Sequence, residues 1–222
     1  MKKACAFCQL ADTESSHQEP IWNTVLFQSP NFVALPTIGS LVEGWLLIAT
    51  KRHYICMGAL ENSLAHELCD FKHLVLDALQ NCYGDVATFE HGPSYEQQAV
   101  GCGVDHAHLH LVPSKRALKN DLATFYDTTL KWGKVTKTQN PSSCFHAGKA
   151  YLHIEQENDG EYILTDLSIK SQSFRRVVAE HVGQPDQYNW REHPYFHNAT
   201  STVQTLQEWK LRQSTSVRKM LG

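Results

Sequence analysis

Residues 106–110 read His-Ala-His-Leu-His. In an extended strand alternate residues share a face, so His106, His108 and His110 project together while Ala107, Leu109 and Leu111 turn to the other side. Neighbouring imidazoles then stand roughly 6.6 Å apart along the backbone, close enough for one phosphate group to span two of them. A neutral imidazole, whose ordinary pKa is about 6.5, can attack phosphorus at neutral pH and form a phosphoramidate. A second imidazole beside it can hold the phosphate oxygens or pass a proton. The bland alternative is a solvated strand face that happens to be rich in His. The Gly101-Cys-Gly103 approach and the Pro113 stop fix the strand's position and favour the chemical reading.

Cys5 and Cys8 form the one close pair among seven Cys. Two thiolates in Cys-x-x-Cys make a short arc around an ion, yet two ligands do not close a tetrahedron. His17, in Ser-Ser-His-Gln, offers a third ligand from a loop setting. Cys56, Cys69, Cys82, Cys102 and Cys144 are scattered among apolar or mixed neighbours and read as small core residues. An odd Cys count behind a start that is no secretory signal argues against a disulfide framework. His91 either lines a pocket or caps a turn, and His66 and His73 fall away from the apolar stripe of a helix. Arg175, Arg176 and Arg191 carry guanidinium groups suited to phosphate, although arginines on amphipathic helices are commonly surface residues. The basic tail at Arg212, Arg218 and Lys219 reads as a solvated end.

Residues 24–28 and 31–35 are short β-rich runs separated by Ser29-Pro30, a hairpin signal. Residues 45–49 form a continuous apolar run of strand length. Met57, Leu60, Leu64, Leu68, Phe71, Val75, Ala78 and Cys82 recur at steps of three or four, which predicts one long amphipathic helix ending before Gly84. Residues 85–90 read as a strand closing at His91-Gly92-Pro93, before a polar loop that leads to the histidine row. Further on, residues 151–155 and 161–164 form a hairpin around Asn158-Asp159-Gly160. A helix over 171–182 turns Phe174, Val177 and Val178 inward, and a terminal helix is expected over 202–212. The fold class is therefore α+β, an antiparallel sheet covered by one long helix with a C-terminal α/β extension packed on it.

The stretch Gly101-Cys-Gly-Val-Asp-His-Ala-His-Leu-His-Leu-Val-Pro113 resembles the histidine-triad (HIT) signature. The upstream Gly44-Trp-Leu-Leu-Ile-Ala-Thr-Lys-Arg-His53 is similar to a strand of that superfamily, and Cys5-Ala-Phe-Cys8 resembles the Cys pair of its zinc-bearing branch. The likeness covers residues 5–113. It implies a HIT-like catalytic core with an N-terminal zinc-binding arm over 1–114 and an extension over 115–222. It further implies a hydrolase or nucleotidyl transferase acting on the α-phosphate of a nucleotide conjugate. His108 would be the transiently nucleotidylated nucleophile, and His110 a phosphate contact that orients it. Cys5, Cys8, His53 and His106 would hold a structural Zn2+. Asn31, Glu90, Gly92, Gly103 and His110 would line the substrate groove, and two copies would pair as a homodimer. One departure concerns Glu90, which stands where dinucleotide polyphosphate hydrolases carry a neutral carboxamide. A carboxylate repels phosphate unless it is protonated, paired or turned away.

Composition bounds the rest. Twenty basic against 23 acidic side chains leave a formal charge of −3, which gives no strong nucleic-acid signal. No apolar stretch approaches the ~20 residues of a membrane span, so a cytoplasmic protein without a membrane partner is expected. Two non-catalytic functions compete with the enzyme: a nucleotide-binding module that keeps the fold, and a zinc-stabilised regulatory or interaction protein. Retention of all three histidines favours the enzyme, because a binder needs no nucleophile.

Overall fold

Two strand-forming runs that precede the histidine row in the chain become its neighbours in the sheet. The computed structural model describes residues 5–12, 20–98, 100, 104–126, 129–157, 159–165 and 171–221. In chain order its elements are α1 (Ala6–Asp12), β1 (Phe27–Gln28), β2 (Phe32–Pro36), β3 (Leu46–Thr50) and α2 (Ala65–Tyr83). These are followed by β4 (Val86–Gly92), β5 (His108–Pro113), α3 (Leu118–Phe125), β6 (Gly133–Lys134) and α4 (Pro141–His146). The chain closes with β7 (Tyr151–Gln156), β8 (Gly160–Leu164), α5 (Ser173–His181) and α6 (Phe196–Leu221). Among the described residues one eight-stranded sheet runs β1-β2-β3-β5-β4-β7-β8-β6, and every neighbouring pair is antiparallel.

Strand alternation sorts the two faces. Ile48, Leu109 and Leu111 turn to the side where α2 contributes Phe71, Val75, Ala78 and Leu79, and where α6 adds Val203 and Leu206. Ala87, Phe89 and Val112 turn to the other side, against Leu118 and Leu122 of α3 and Phe174, Val177 and Val178 of α5. The register Leu47↔His110 and Ala49↔His108 places the histidines on this second face. No helix among the described residues is long and apolar enough to cross a membrane.

Several expected elements change shape. The helix expected from Met57 begins only at Ala65, after two 3-10 turns at Met57–Ala59 and Asn62–Leu64. The N–H groups of Met57 and Gly58 are donated to Glu90 Oε1 and Tyr151 Oη, and Leu60 and Glu61 are extended, so the helical ladder cannot start there. The first strand shortens to Phe27–Gln28, behind a 3-10 turn at Ile21–Asn23. The terminal helix is far longer than expected, because Ala199, Val203 and Leu206 continue one apolar stripe within a polar sequence. Cys56 and Cys144 are buried as expected of core residues, whereas Cys69 is exposed on the outer side of α2; Cys102 lies outside the described residues.

The C-terminal half joins the sheet as well as covering it. β7 pairs along β4 from Ala87↔Gln156 to Gly92↔Tyr151. A second junction forms at the loop between β2 and β3. There Gly39 N–H is donated to Pro194 O at 2.5 Å, Asn198 Nδ2 to Ser40 O at 2.7 Å, and Gly44 N–H to Thr202 Oγ1 at 2.8 Å.

Candidate active site and metal centre

Cys5 and Cys8 stand one turn apart at the start of α1, which brings both thiols to one side of the arm. Cys5 Sγ lies 3.3 Å from His106 Nδ1, and Cys8 Sγ lies 3.7 Å from the same nitrogen and 3.4 Å from His53 Nδ1. All four donor atoms fall within 4.8 Å of one another. His106 Nε2 is 2.6 Å from the carbonyl oxygen of Thr50, which can only accept. The proton therefore sits on Nε2, and the Nδ1 lone pair faces the thiols, as second-shell bonding does for metal-bound imidazole. Burial, helped by His53 and His108 and opposed by the Thr50 carbonyl, pushes His106 down to about 4 and keeps the ring neutral. Two thiols and two imidazoles match the donor set of a closed tetrahedral site, so the cluster could hold a metal ion. His17, the rival ligand, lies outside the described residues.

The next two imidazoles are set in opposite tautomers. His108 Nδ1 is 2.6 Å from the carbonyl oxygen of His106, so Nδ1 carries the proton and Nε2 is left with a lone pair. The indole N–H of Trp45 is donated to His110 Nδ1 at 3.2 Å, so the proton of His110 sits on Nε2. The two rings are 4.9 Å apart, edge to face. Burial holds both below the usual imidazole range, with His106's carbonyl pulling His108 back up and Arg175 pushing both rings down. His91 joins them edge-on, 6.4 Å from His110, and burial with the charges of His108 and Arg175 pushes it to about 3. One face thus carries a bare imidazole nitrogen beside an imidazole N–H.

His108 and His110 open onto a cavity of about 190 Å³ walled by Phe7, Leu35, Leu47 and Trp190 and reached by Arg175. Phe7, between the two cysteines, stacks on His106 at 5.3 Å and on His108 at 5.7 Å. Arg175 is 1 % exposed. Its Nε–H is donated to Tyr188 O at 3.1 Å, its Nη2–H to Gly39 O, and its guanidinium lies 4.7 Å above the Trp45 ring. Gly39 has φ +78°, and a Cβ there would come within 2.5 Å of both Arg175 Nη2 and Trp190 Cβ. The loop can receive α5 only because this residue lacks a side chain.

Of the other expected site residues, three sit elsewhere. Glu90 is on the α2 face, since on β4 it alternates with Phe89 and His91, whose rings flank His110. Its carboxylate accepts from Met57 N–H and Tyr151 O–H, each at 2.6 Å, and burial raises it to about 7. Asn31 gives its backbone and side-chain N–H groups to Glu67 of α2 at 2.8 and 2.6 Å. Gly92 lies beneath the Tyr151 ring, whose atoms would come within 2.1 Å of a Cβ. Gly103 lies outside the described residues. Phe7, Asn23 and Trp190, which line the cavity, were not expected there. Arg175 carried one signal: three positions before Val178, it borders the buried stripe of α5.

The histidine row thus lies on an inner strand of an antiparallel sheet, with a long helix behind it. Residues 1–126 of the 222 match the family model described as "Protein similar to CwfJ C-terminal". The chain belongs to that family. Among solved structures, it is similar to a hypothetical histidine triad nucleotide-binding protein from Sulfolobus tokodaii. The identity is 20 % with a TM-score of 0.39, over 51 % of this chain and 70 % of that one. A Zn-bound histidine triad family protein from Mycobacterium smegmatis matches at 19 % identity and TM-score 0.40, over 51 % and 77 %. A HIT family hydrolase from Legionella pneumophila matches at 24 % identity and TM-score 0.37, over 51 % and 95 %. No curated protein matches.

Proposed function

We propose that this protein is a nucleotide hydrolase or nucleotidyl transferase that works through a covalent adduct on His108. The observation that carries this reading is the tautomer pair, a bare Nε2 on His108 beside an Nε2–H on His110 at one cavity wall. The His108 Nε2 lone pair forms a bond to the α-phosphorus as the bond from phosphorus to the leaving group breaks. The ring becomes cationic, and its Nδ1–H, held by the His106 carbonyl, bears part of that charge. The Nε2–H of His110 is donated to a phosphoryl oxygen and aligns the group for attack. Attack by water or another acceptor then breaks the N–P bond and restores the neutral imidazole.

In the same reading Cys5, Cys8, His53 and His106 hold zinc. With four protein donors and no open position, it serves to fix the arm to the sheet. Residues 1–114 carry the chemistry, and 115–222 complete the cavity.

Intact-protein mass spectrometry after incubation with a panel of nucleotide conjugates tests the proposal. A mass gain of one nucleotidyl group, a nucleoside monophosphate less one water, that is lost in His108→Ala is the expected result. Binding without any adduct would instead make the chain a nucleotide-binding module.

A further inference from the structure

We propose that a second cavity, on the α2 side of the sheet, is a binding site for a small organic cation with N–H donors, a primary ammonium compound by class. The cavity holds about 270 Å³, with Met57, Leu68 and Leu109 as apolar walls and Glu90, His153 and Glu161 as its acidic and imidazole groups. Glu90 and His153 stand opposite each other on β4 and β7, so they share the face turned away from the histidine row. The site therefore stands whatever the histidine cavity binds.

His153 carries the argument. Its Nε2 lies 2.8 Å from Glu161 Oε1. That hydrogen bond, helped by Lys72 and opposed by burial, holds the Glu161 carboxyl below the usual carboxylate range. A carboxylate only accepts, so in the neutral ring the proton sits on Nε2 and Nδ1 is left with a lone pair. The residue is 7 % exposed, and Nδ1 has no hydrogen-bond partner among the described residues. A buried acceptor without a donor carries its full desolvation cost, so it marks a place where a donor belongs.

The charges on the walls name the sign of the ligand. Two carboxyl groups, Glu90 and Glu161, meet one Lys or Arg among the described lining residues, Lys72. Lys72 Nζ is itself 2.5 Å from Glu155 Oε2, so its charge is already paired. An entering ammonium group finds the Glu161 carboxylate and a bare imidazole nitrogen, both acceptors, with Glu90 beside them. In a site partly removed from water such attraction is stronger than at an open surface. The apolar walls suit the carbon chain that bears the ammonium group. A metal ion fits less well: among the described residues, the one group of three or more His, Cys or acidic donors close enough to share an ion is the Cys5 cluster.

NMR titration of the full chain with butylammonium tests this, with butanol, tetramethylammonium and butyrate as controls. Butylammonium should give saturable shifts at Leu68, His153 and Glu161. Butanol, which lacks the charge, and tetramethylammonium, which lacks N–H donors, should each bind about tenfold more weakly or less. That is the size of one charge-assisted hydrogen bond. Glu161→Gln, at an exposed position whose carboxamide still accepts from His153, should weaken butylammonium by about tenfold or more. His153→Phe should remove the saturable shifts, and if that variant fails to fold, Glu161→Gln decides alone. No saturable shift at this cavity, equal binding of butanol or tetramethylammonium, or full affinity in Glu161→Gln overturns the proposal. Tighter binding of butyrate would make the cavity an anion site with a charged imidazole, which also overturns it. Failure to form any His108 adduct would remove the nucleotide reading and leave these shifts unchanged.

Discussion

The ring of Phe7 lies nearly parallel to that of His108, 5.7 Å away and 16° off parallel. Phe7 is one residue from Cys8 and two from Cys5, so the side chain that leans on the proposed nucleophile belongs to the segment that carries two of the four candidate metal donors. The candidate metal cluster and the proposed nucleophile are thus joined through one aromatic ring.

Removing the metal should therefore disturb the cavity as well as the fold. Under a chelator, or in Cys8→Ser, cleavage by a probe protease within residues 5–12 should accelerate and the rate of His108 adduct formation should fall. Unchanged proteolysis after verified metal loss would mean that α1 is held by packing alone.

The three histidines should separate by role. His108→Ala should abolish the adduct while retaining metal and wild-type melting. His106→Ala should lose metal and melt lower, because a structural metal contributes folding free energy directly. His110→Ala should slow adduct formation without releasing metal. Elemental analysis and melting curves on all three variants check this, and full metal content in His106→Ala would sink the division.

Trp45→Phe deletes the indole N–H that sets the His110 tautomer and keeps much of the aromatic packing. Adduct formation should slow on the order of tenfold, about one hydrogen bond's worth of free energy, with folding retained. An unchanged rate would show that His110 finds its donor tautomer unaided.

Glu90 gives a pH signature. Its folded value of about 7 exceeds the ordinary 4.5, so between those values the native carboxyl keeps a proton that the unfolded chain has released. Its contribution to stability is complete below pH 4.5 and is lost as pH rises to about 7. At 1.36 kcal/mol per pKa unit the difference is about 3 kcal/mol. In Glu90→Gln this fall should flatten, and the variant should melt above wild type at pH 8. Parallel melting-versus-pH curves would show that the carboxylate is fully compensated by Met57 and Tyr151.

The histidine face was legible because it follows from a local rule, alternation on β5. The thiol pair by itself left two donors open, and His53 and His106 were expected from the resemblance, not from a local pattern. Glu90 and Asn31 were misplaced for the opposite reason. Their roles depend on which side of a strand each takes and on long-range partners, Tyr151 for one and Glu67 for the other. The same alternation that aligned the histidines, applied to β4, would have placed Phe89 and His91 beside them and turned Glu90 away. Arg175 and Trp190 reach the cavity only through the fold of the C-terminal half, and the place of Arg175 beside the buried stripe of α5 was the one local sign of it.

The pairing of β4 with β5 on one side and β7 on the other makes the sheet a single hydrogen-bonded fabric across residue 114. A chain cut at that point would expose the whole β7-facing edge of β4, a buried strand with ready backbone donors and acceptors. Such an edge is a template for pairing with other chains, so the severed half should aggregate rather than persist as a smaller folded unit. The two halves should melt in one cooperative transition, and a destabilising substitution in either should be felt as lost order in the other.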